Sequence, residues 1–520
     1  MSWRLLIACW LACAPVLHAA TLADQLVFGS FQKEQKARDW AQRVQRKVGA
    51  EVRVAELSDG ETTWYRVVSD PDPQIARQAA SQGLTFWRNP VSVDDSAEPG
   101  RRVAERSVQP TSTTIELLGQ RAPARQPQAE ALSPQSVSQL DFDLGFQGRS
   151  FPHSGYIGQE RFHPSFSVQL EYYRAWEDDR RSFTFTPFFR YDIEDSERTH
   201  GDIRELFYTH VGDDWDLHVG VRRLFWGVSE FQHLVDIVNQ TDLVENVDGE
   251  DKLGQPMVQL SLVRDWGIVD LFALTGFRER TFAGDQGRLN VLPIDTDDAT
   301  YESSAEELRT DAAVRWSHFW GPLEFGVYHF SGTSRDPLLI PTPDGSGGLL
   351  YRPHYPVIDQ TGFDAQAIAG DWAWKLEAIS RSGYDDRYVA AVAGFERTLV
   401  GVFGTRSDLG LVVEYMFDDR GDRAFNTLFE NDVALGARWR ANDLADTEAL
   451  LGLIWDTDSE EYVFSLEASR RLGDNWGLYL EGRVFGGGDD IALPYLLDPD
   501  NKSAALQRDD YIQLELKRFF

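Results

Sequence analysis

The chain ends in Tyr511-Ile-Gln-Leu-Glu-Leu-Lys-Arg-Phe-Phe520, and this stretch decides the reading of the fold. Ile512, Leu514, Leu516 and Phe520 fall on one face of a strand; Gln513, Glu515 and Lys517 fall on the other. An apolar strand left at a free sheet edge invites pairing with other chains. Closed into a barrel, the same strand has no edge, and its apolar face can meet lipid while its polar face meets a wet lumen.

The pattern recurs from Leu140 onward in segments of 8–12 residues. Phe166, Val168, Leu170 and Tyr172 alternate with Gln169 and Glu171. Phe183, Phe185, Phe189 and Tyr191 oppose Thr184, Thr186 and Arg190; Trp372, Trp374, Leu376 and Ala378 oppose Lys375, Glu377 and Arg381. Leu409, Leu411, Val413 and Tyr415 oppose Glu414, and Val433, Leu435, Ala437 and Trp439 oppose Arg438 and Arg440. Tyr462, Phe464 and Leu466 oppose Glu467 and Arg471; Trp476, Leu478 and Leu480 oppose Glu481 and Arg483. The even-number rule for such barrels gives 16–18 antiparallel strands over residues 139–520, with polar stretches at 281–310, 331–360 and 486–509 as long outer loops. A soluble β-sandwich array is the competing reading, but it does not explain apolar faces on nearly every strand. The 16 Trp, 17 Tyr and 31 Phe suit interface girdles.

With the strands in place, the terminal segment resembles the C-terminal signal of bacterial outer-membrane barrels, which finish on an aromatic residue. The resemblance implies that Phe520 addresses the chain to the barrel-assembly machinery and that the surrounding partner is outer-membrane lipid. Arg518 departs from that pattern, standing on the lipid-facing parity.

The N-terminus supports export. Arg4 precedes an apolar run from Leu5 to Val16 and then Leu17-His-Ala-Ala20, a signal peptide spanning residues 1–20. The run is too short to span a bilayer, and no later run reaches about 18 apolar residues. Cys9 and Cys13 both lie within it, so the mature chain would hold no thiol chemistry. Leu6-Ile-Ala-Cys9 has the form of a lipidation box but sits too early to leave a working apolar core.

Residues 22–90 read as a small α/β module in the order βαββαβ. Leu26–Phe31, Glu51–Leu57, Thr62–Val68 and Leu84–Trp87 are strands; Lys33–Val48 and Ile75–Gln82 are helices. This order, with Gly-Ser-Phe after the first strand and Trp64-Tyr-Arg-Val-Val68 before the second helix, resembles a SPOR domain. The resemblance implies a periplasmic module that binds peptidoglycan glycan strands lacking stem peptides, with Ser30, Phe31, Trp64 and Arg66 as contact residues. Val27 and Ser69-Asp-Pro depart from the family pattern. Phe31 and Trp64 also suit the core beneath the helices. Residues 91–137, broken by Pro99, Pro110, Pro123, Pro127 and Pro134, form a disordered tether whose extended reach is several nanometres.

Charge is unevenly distributed. Residues 21–138 carry 15 acidic and 15 basic side chains, whereas 139–520 carry 68 acidic and 35 basic. That excess disfavours nucleic acid as a partner. It fits acidic outer loops or a cation-attracting pore mouth.

The most unusual stretch is Gly220-Val-Arg-Arg-Leu-Phe-Trp-Gly227 with its continuation Phe231-Gln-His-Leu-Val-Asp-Ile-Val-Asn-Gln-Thr-Asp242. Strand parity stops at Trp226-Gly227, and an ordered segment follows. It resembles the strand and infolded segment of porin-like outer-membrane families. That resemblance implies a constriction, with Arg222 on the lumen parity and Asp236, Asn239 and Asp242 at the eyelet; the alternative is that these side chains pin the segment to the wall. The lumen-parity charges Glu171, Arg190, Arg222, Lys375, Glu377, Arg381, Arg438, Arg440, Glu467, Glu481 and Arg483 would line the pore, neutralising a wet interior or setting a transverse field. No Gly-x-Ser-x-Gly, His-Glu-x-x-His or phosphate-binding loop occurs, so neither an enzyme nor a cofactor is expected. The sequence thus predicts a passive outer-membrane channel for small hydrophilic solutes with a periplasmic SPOR-like module. The alternative is a plugged barrel that anchors the membrane to the cell wall.

Overall fold

A computed structural model describes residues 25–31, 38, 41–42, 44–45, 50–58, 63–69, 87–89 and, between 136 and 520, all but 178–179, 290–291, 344–347, 385, 422–426, 428 and 489–505. The chain forms two compact units, Met1–Leu132 and Ser133–Phe520.

In the first unit β1 (Gln25–Phe31), β2 (Val52–Ser58), β3 (Thr63–Ser69) and β4 (Trp87–Asn89) form one sheet in the order β2-β3-β1-β4, with every pairing antiparallel. Helical backbone is described at residues 38, 41–42 and 44–45, where Ala41 and Val44 are buried as the i, i+3 spacing predicts. Ser30 pairs with Arg66 and Phe31 with Tyr65 in the β1–β3 register. The side chains of Ser30, Phe31, Trp64 and Arg66, the second helix and residues 91–135 of the tether lie outside the described residues, while Val137, expected to end the tether, already belongs to the first barrel strand.

The second unit is a closed barrel of eighteen strands. Its first seven are β5 (Val137–Ser150), β6 (Phe162–Trp176), β7 (Arg181–Asp192), β8 (His200–Val211), β9 (Trp215–Arg222), β10 (Gln255–Arg264) and β11 (Gly267–Leu274). There follow β13 (Asp311–Trp320), β14 (Leu323–Thr333), β17 (Val357–Ala369), β18 (Trp372–Ser382), β19 (Tyr388–Leu399) and β20 (Asp408–Asp418). The last five are β21 (Asn431–Arg440), β22 (Glu448–Asp456), β23 (Tyr462–Leu472), β24 (Trp476–Gly486) and β25 (Tyr511–Phe519). β25 closes on β5, with Ile512 opposite Ser150 and Phe519 opposite Asp143. Phe520 completes the seam: its N–H donates to Phe142 O at 2.9 Å, and its ring lies 5.4 Å from that of Phe142.

Connections differ between the two ends. At the end that holds Val137 and Phe520 none exceeds eight residues, as at 212–214, 265–266 and 321–322; the longest, such as 223–254 between β9 and β10, lie at the other end. Two long connections are ordered rather than open loops. Within them β12 (Thr300–Tyr301), β15 (Leu338–Pro343) and β16 (Leu349–Tyr355) make a small sheet in the order β12-β16-β15, where Tyr301 stacks on Tyr355 and Phe277 meets both rings edge-on. The expected loops at 281–310 and 331–360 are thereby corrected in part, because each contributes strands to a packed sheet.

The outward face is apolar between two aromatic levels. Trp266, Trp320 and Trp374 stand exposed toward the short-turn rim; Phe162, Tyr191, Phe417 and Trp455 stand exposed toward the opposite rim. Ile203, Leu271, Val327, Leu435, Leu451 and Leu514 are exposed along the faces between. The inward face is not uniformly polar. Met257, Phe272, Leu274, Ala313, Tyr328, Phe330, Ile358, Ile379 and Ala390, from β10 to β19, form a buried core inside the barrel. Leu435→Arg, outward at mid-strand, is expected to cost about 2–4 kcal/mol in a bilayer, measured as a lowered urea midpoint of vesicle-refolded protein. An unchanged midpoint would exclude lipid contact at that face.

Candidate functional site: a segment pinned across the lumen

Residues 223–254, which connect β9 to β10, turn into the lumen. Residues 223–239 pair with no strand, so their backbone groups need other acceptors and donors. Two glutamates on the wall supply acceptors. Glu377 of β18, fully buried, accepts Val228 N–H at 2.7 Å and Ser229 N–H at 2.9 Å through Oε1, and Val235 N–H at 3.2 Å through Oε2. Glu414 of β20, also fully buried, accepts Glu230 N–H at 2.7 Å and Phe231 N–H at 3.0 Å. Carbonyls are met from the same side: Arg335 donates to Val238 O at 3.0 and 3.1 Å, and Gln360 to Leu234 O at 3.3 Å.

The Trp-Gly pair has a physical account. Trp226 is buried against Phe272 and Tyr328, with ring centroids 5.5 and 4.9 Å away, and carries the Arg315 guanidinium at 5.1 Å. Gly227 has φ +140°, and a Cβ there would lie 2.8 Å from Glu377 Oε1. Only glycine lets the carboxylate reach the two amides that follow. Val235, Ile237 and Val238 complete the apolar face that covers the β10–β19 core.

A second glycine feature holds the tip. Gly436 of β21 and Gly452 of β22 are cross-strand partners, and a Cβ on either would meet the Phe231 ring at 2.9 or 2.7 Å. Phe231 therefore plugs into a socket made by two missing side chains.

The expected constriction residues are buried inside the segment. Asn239, 1% exposed, accepts Leu224 N–H at 2.9 Å and donates to Arg222 O and Leu253 O, each at 2.8 Å, tying the neck of the loop. Asp236 pairs with Lys252 at 3.2 Å and accepts Trp226 N–H. Asp242, 1% exposed, accepts from Thr281 Oγ1 at 2.8 Å. Arg222 is on the lumen side as parity predicts, but it donates to Gln259 and stacks at 4.8 Å over Phe207.

The far end of the segment is held by charge. Glu245 takes a two-pronged bond from Arg190, with Nε and Nη2 each at 2.8 Å, and lies 3.5 Å from Arg204. Arg198 donates to Val244 O at 2.7 Å. Asp248 pairs with Arg483 at 3.1 Å, while Asn246 donates to Glu481 at 3.2 Å. Glu230 pairs with Lys375 at 3.7 Å and with Arg438.

Between the segment and the wall made by β5–β8 and β21–β25 remains a cavity of about 560 Å³. Arg190, Arg438, Glu467 and Glu481 of the expected pore residues border it; Lys375, Glu377 and Arg381 serve the dry side instead. Arg381 pairs with Asp336 at 2.9 Å. Glu171 and Arg440 are exposed on lumen parity toward the short-turn end, and Arg440 pairs with Glu448 at 3.5 Å. Arg483 bridges Asp248 and Glu467. Sequence reasoning missed Glu245, Asp248, Arg204 and the glycine socket. It also passed over Glu414 as an anchor, although its lumen parity was legible. The overlooked signal for the dry side is β11, where Phe272 and Leu274 are apolar on the parity that should be polar.

A closed eighteen-stranded barrel, apolar outside and narrowed within by one infolded connection, defines a porin-like β-barrel. No protein-family model and no curated protein matches the chain. Among solved structures it is similar to Pseudomonas aeruginosa OccD3 (OpdP), 10% identical over 74% of this chain and 90% of that one, with a TM-score of 0.43. A BenF-like porin from Pseudomonas fluorescens Pf-5 is 8% identical over 74% of this chain and 98% of its own, with a TM-score of 0.44. Pseudomonas aeruginosa OpdQ is 11% identical over 74% and 97%, with a TM-score of 0.41. At these levels the likeness assigns no residue role here.

Burial raises four aspartates of the segment, Asp236, Asp242, Asp248 and Asp251. Burial pushes Asp248 from 3.8 up to about 7, against Arg483 and with Glu481 and Asp251 adding to the rise. Burial, with Glu245 beside it, pushes Asp242 up to about 6. Burial also acts to raise Glu245, but Arg190, Arg198 and Arg204 outweigh it and hold Glu245 down to about 2. The docked segment therefore binds these aspartate protons more tightly than the free segment does. Docking is favoured in acid and weakens as pH rises from about 4 to about 7, whereas the Glu245 contribution is lost only as pH falls from about 4.5 toward 2. Current noise from segment motion is expected to be lower at pH 5 than at pH 8, and Asp248→Asn should flatten the difference. Greater noise at pH 5 would contradict this linkage. Separately, Glu377→Ala strands three buried N–H groups, each costing about 1–3 kcal/mol, so rapid proteolysis should appear within 223–254 while the barrel stays protected.

Proposed function

We propose that the chain is an outer-membrane channel through which small hydrophilic solutes diffuse passively. The observation that carries this reading is the 560 Å³ cavity left beside the pinned segment, whose borders mix Glu448, Glu467 and Glu481 with Arg190, Arg204 and Lys517. A path walled by charges suits hydrated solutes and rejects apolar ones. The outward apolar belt, the signal peptide and the terminal aromatic strand support placement in the outer membrane, with the long connections outside the cell. Selection then rests on cavity size and charge; no bond is made or broken.

Dense pairing across the lumen, such as Glu245 with Arg190 and Asp248 with Arg483, favours a second reading in which the barrel is a plugged anchor between membrane and cell wall. Planar-bilayer recording of the refolded chain separates the two. The channel reading expects discrete conductance steps that grow severalfold when residues 228–250 are deleted. Silence from both proteins would overturn the channel reading.

The N-terminal module is proposed to lie in the periplasm and to contact peptidoglycan glycan through Ser30, Phe31, Trp64 and Arg66, with the tether at 91–137 supplying reach. Full-length protein in detergent should bind sacculi stripped of stem peptides better than untreated sacculi. The double variant Trp64→Ala with Arg66→Ala should lose that preference. Equal binding by both would make the module a spacer or a protein-docking domain.

A further inference from the structure

Six arginines sit on the outward parity near the short-turn rim, and they divide into two sets. Arg181, Arg264 and Arg470 have acidic partners in neighbouring turns: Glu177 at 3.0 Å, Asp214 at 3.0 Å and Asp443 at 3.7 Å. Arg174, Arg397 and Arg518 have no ion-pair partner among the described residues. Register fixes their direction. Arg397 is opposite Leu411 and Trp372; Arg518 is opposite Leu144 and Trp476; Arg174 is opposite Phe183. Each thus shares a face with apolar residues of the lipid-facing belt.

Two of the three are seated on aromatic rings. The Arg397 guanidinium lies 5.1 Å from the Trp372 ring, itself stacked with Trp374 at 5.7 Å. The Arg518 guanidinium lies between Trp476, at 5.1 Å, and Phe520, at 4.7 Å. A ring face holds a guanidinium in place without neutralising it. The chain as a whole is strongly acidic, with a net charge of −32, so cations kept free of carboxylates at the lipid boundary are set apart from the general pattern.

We infer that Arg397 with Trp372, and Arg518 with Trp476 and Phe520, are binding sites for the phosphodiester of a phospholipid in the leaflet at the short-turn rim. The planar fork of arginine matches phosphate oxygens in a two-pronged bond, while the indole occupies the headgroup level beside it. Arg174 offers a third cation without a ring beneath it. The site at Arg518 lies on the closing seam, so a bound phospholipid would also brace β24 against β25 and β5. The inference rests on the barrel spanning a bilayer, as proposed above.

The test uses the full chain refolded in dodecyl maltoside doped with phosphatidylglycerol, with retained lipids counted by native mass spectrometry. Wild type should retain phosphatidylglycerol, Arg397→Gln and Arg518→Gln should each retain one fewer, and the ion-paired control Arg470→Gln should match wild type. Arg518→Lys, which keeps the charge but loses the fork, should weaken retention at least severalfold. Equal retention by wild type and the two Gln variants, or an equal loss in the Arg470→Gln control, overturns the sites. Vesicle insertion is measured in parallel. A wild-type chain that fails to insert overturns the membrane reading and this inference together, whereas normal insertion with unchanged lipid counts overturns this inference alone.

Discussion

The structure depends on one constraint: a stretch of chain placed inside a barrel must have its backbone polar groups satisfied by something other than a neighbouring strand. Glu377 and Glu414 meet that demand with five backbone N–H bonds between them. Both carboxylates are fully buried, which would be unfavourable for isolated ions. Here the amides of the segment supply the polar environment that water no longer provides. Carboxylate and segment are therefore mutually dependent, and neither is stable in that position without the other.

From this pinning follows the division of the lumen. The apolar side of residues 226–238 covers the inward faces of β10 to β19 and leaves that half dry. The 560 Å³ cavity lies on the side of β5–β8 and β21–β25, where inward side chains are polar and many are charged. Pore size and pore chemistry are thus set together by where one connection docks. Held at one end by Glu377, Glu414 and the glycine socket, and at the other by Arg190 and Arg483, the segment crosses the lumen instead of lying against one wall.

Burial has different consequences along the segment. Glu245 is met by three arginines and remains a strong acid, whereas Asp248 has one arginine and two acidic neighbours and takes a proton near neutrality. The same degree of enclosure therefore yields a permanent tie in one place and a titrating one in the other. The arrangement gives the constriction a charge that varies with pH without altering the barrel that carries it.

The alternation of Ile512, Leu514 and Leu516 against Gln513, Glu515 and Lys517 was enough to place the last strand, its two faces and the closure of the sheet. A period of two is a local property of the chain and survives any register. The same arithmetic narrowed the strand count to 16–18, and Trp226-Gly227 flagged the infolded segment, although the chain leaves the wall four residues earlier, after Arg222. The roles of Asp236, Asn239 and Asp242 were not legible, because a polar residue in an infolded segment has the same sequence signature whether it faces water or ties a loop. Nor could parity reveal that Phe231 enters the space above Gly436 and Gly452, over two hundred residues away. Sequence determined which way each side chain leaves its strand; only the tertiary structure decided what it meets there, because contacts across a lumen join residues that no local period relates.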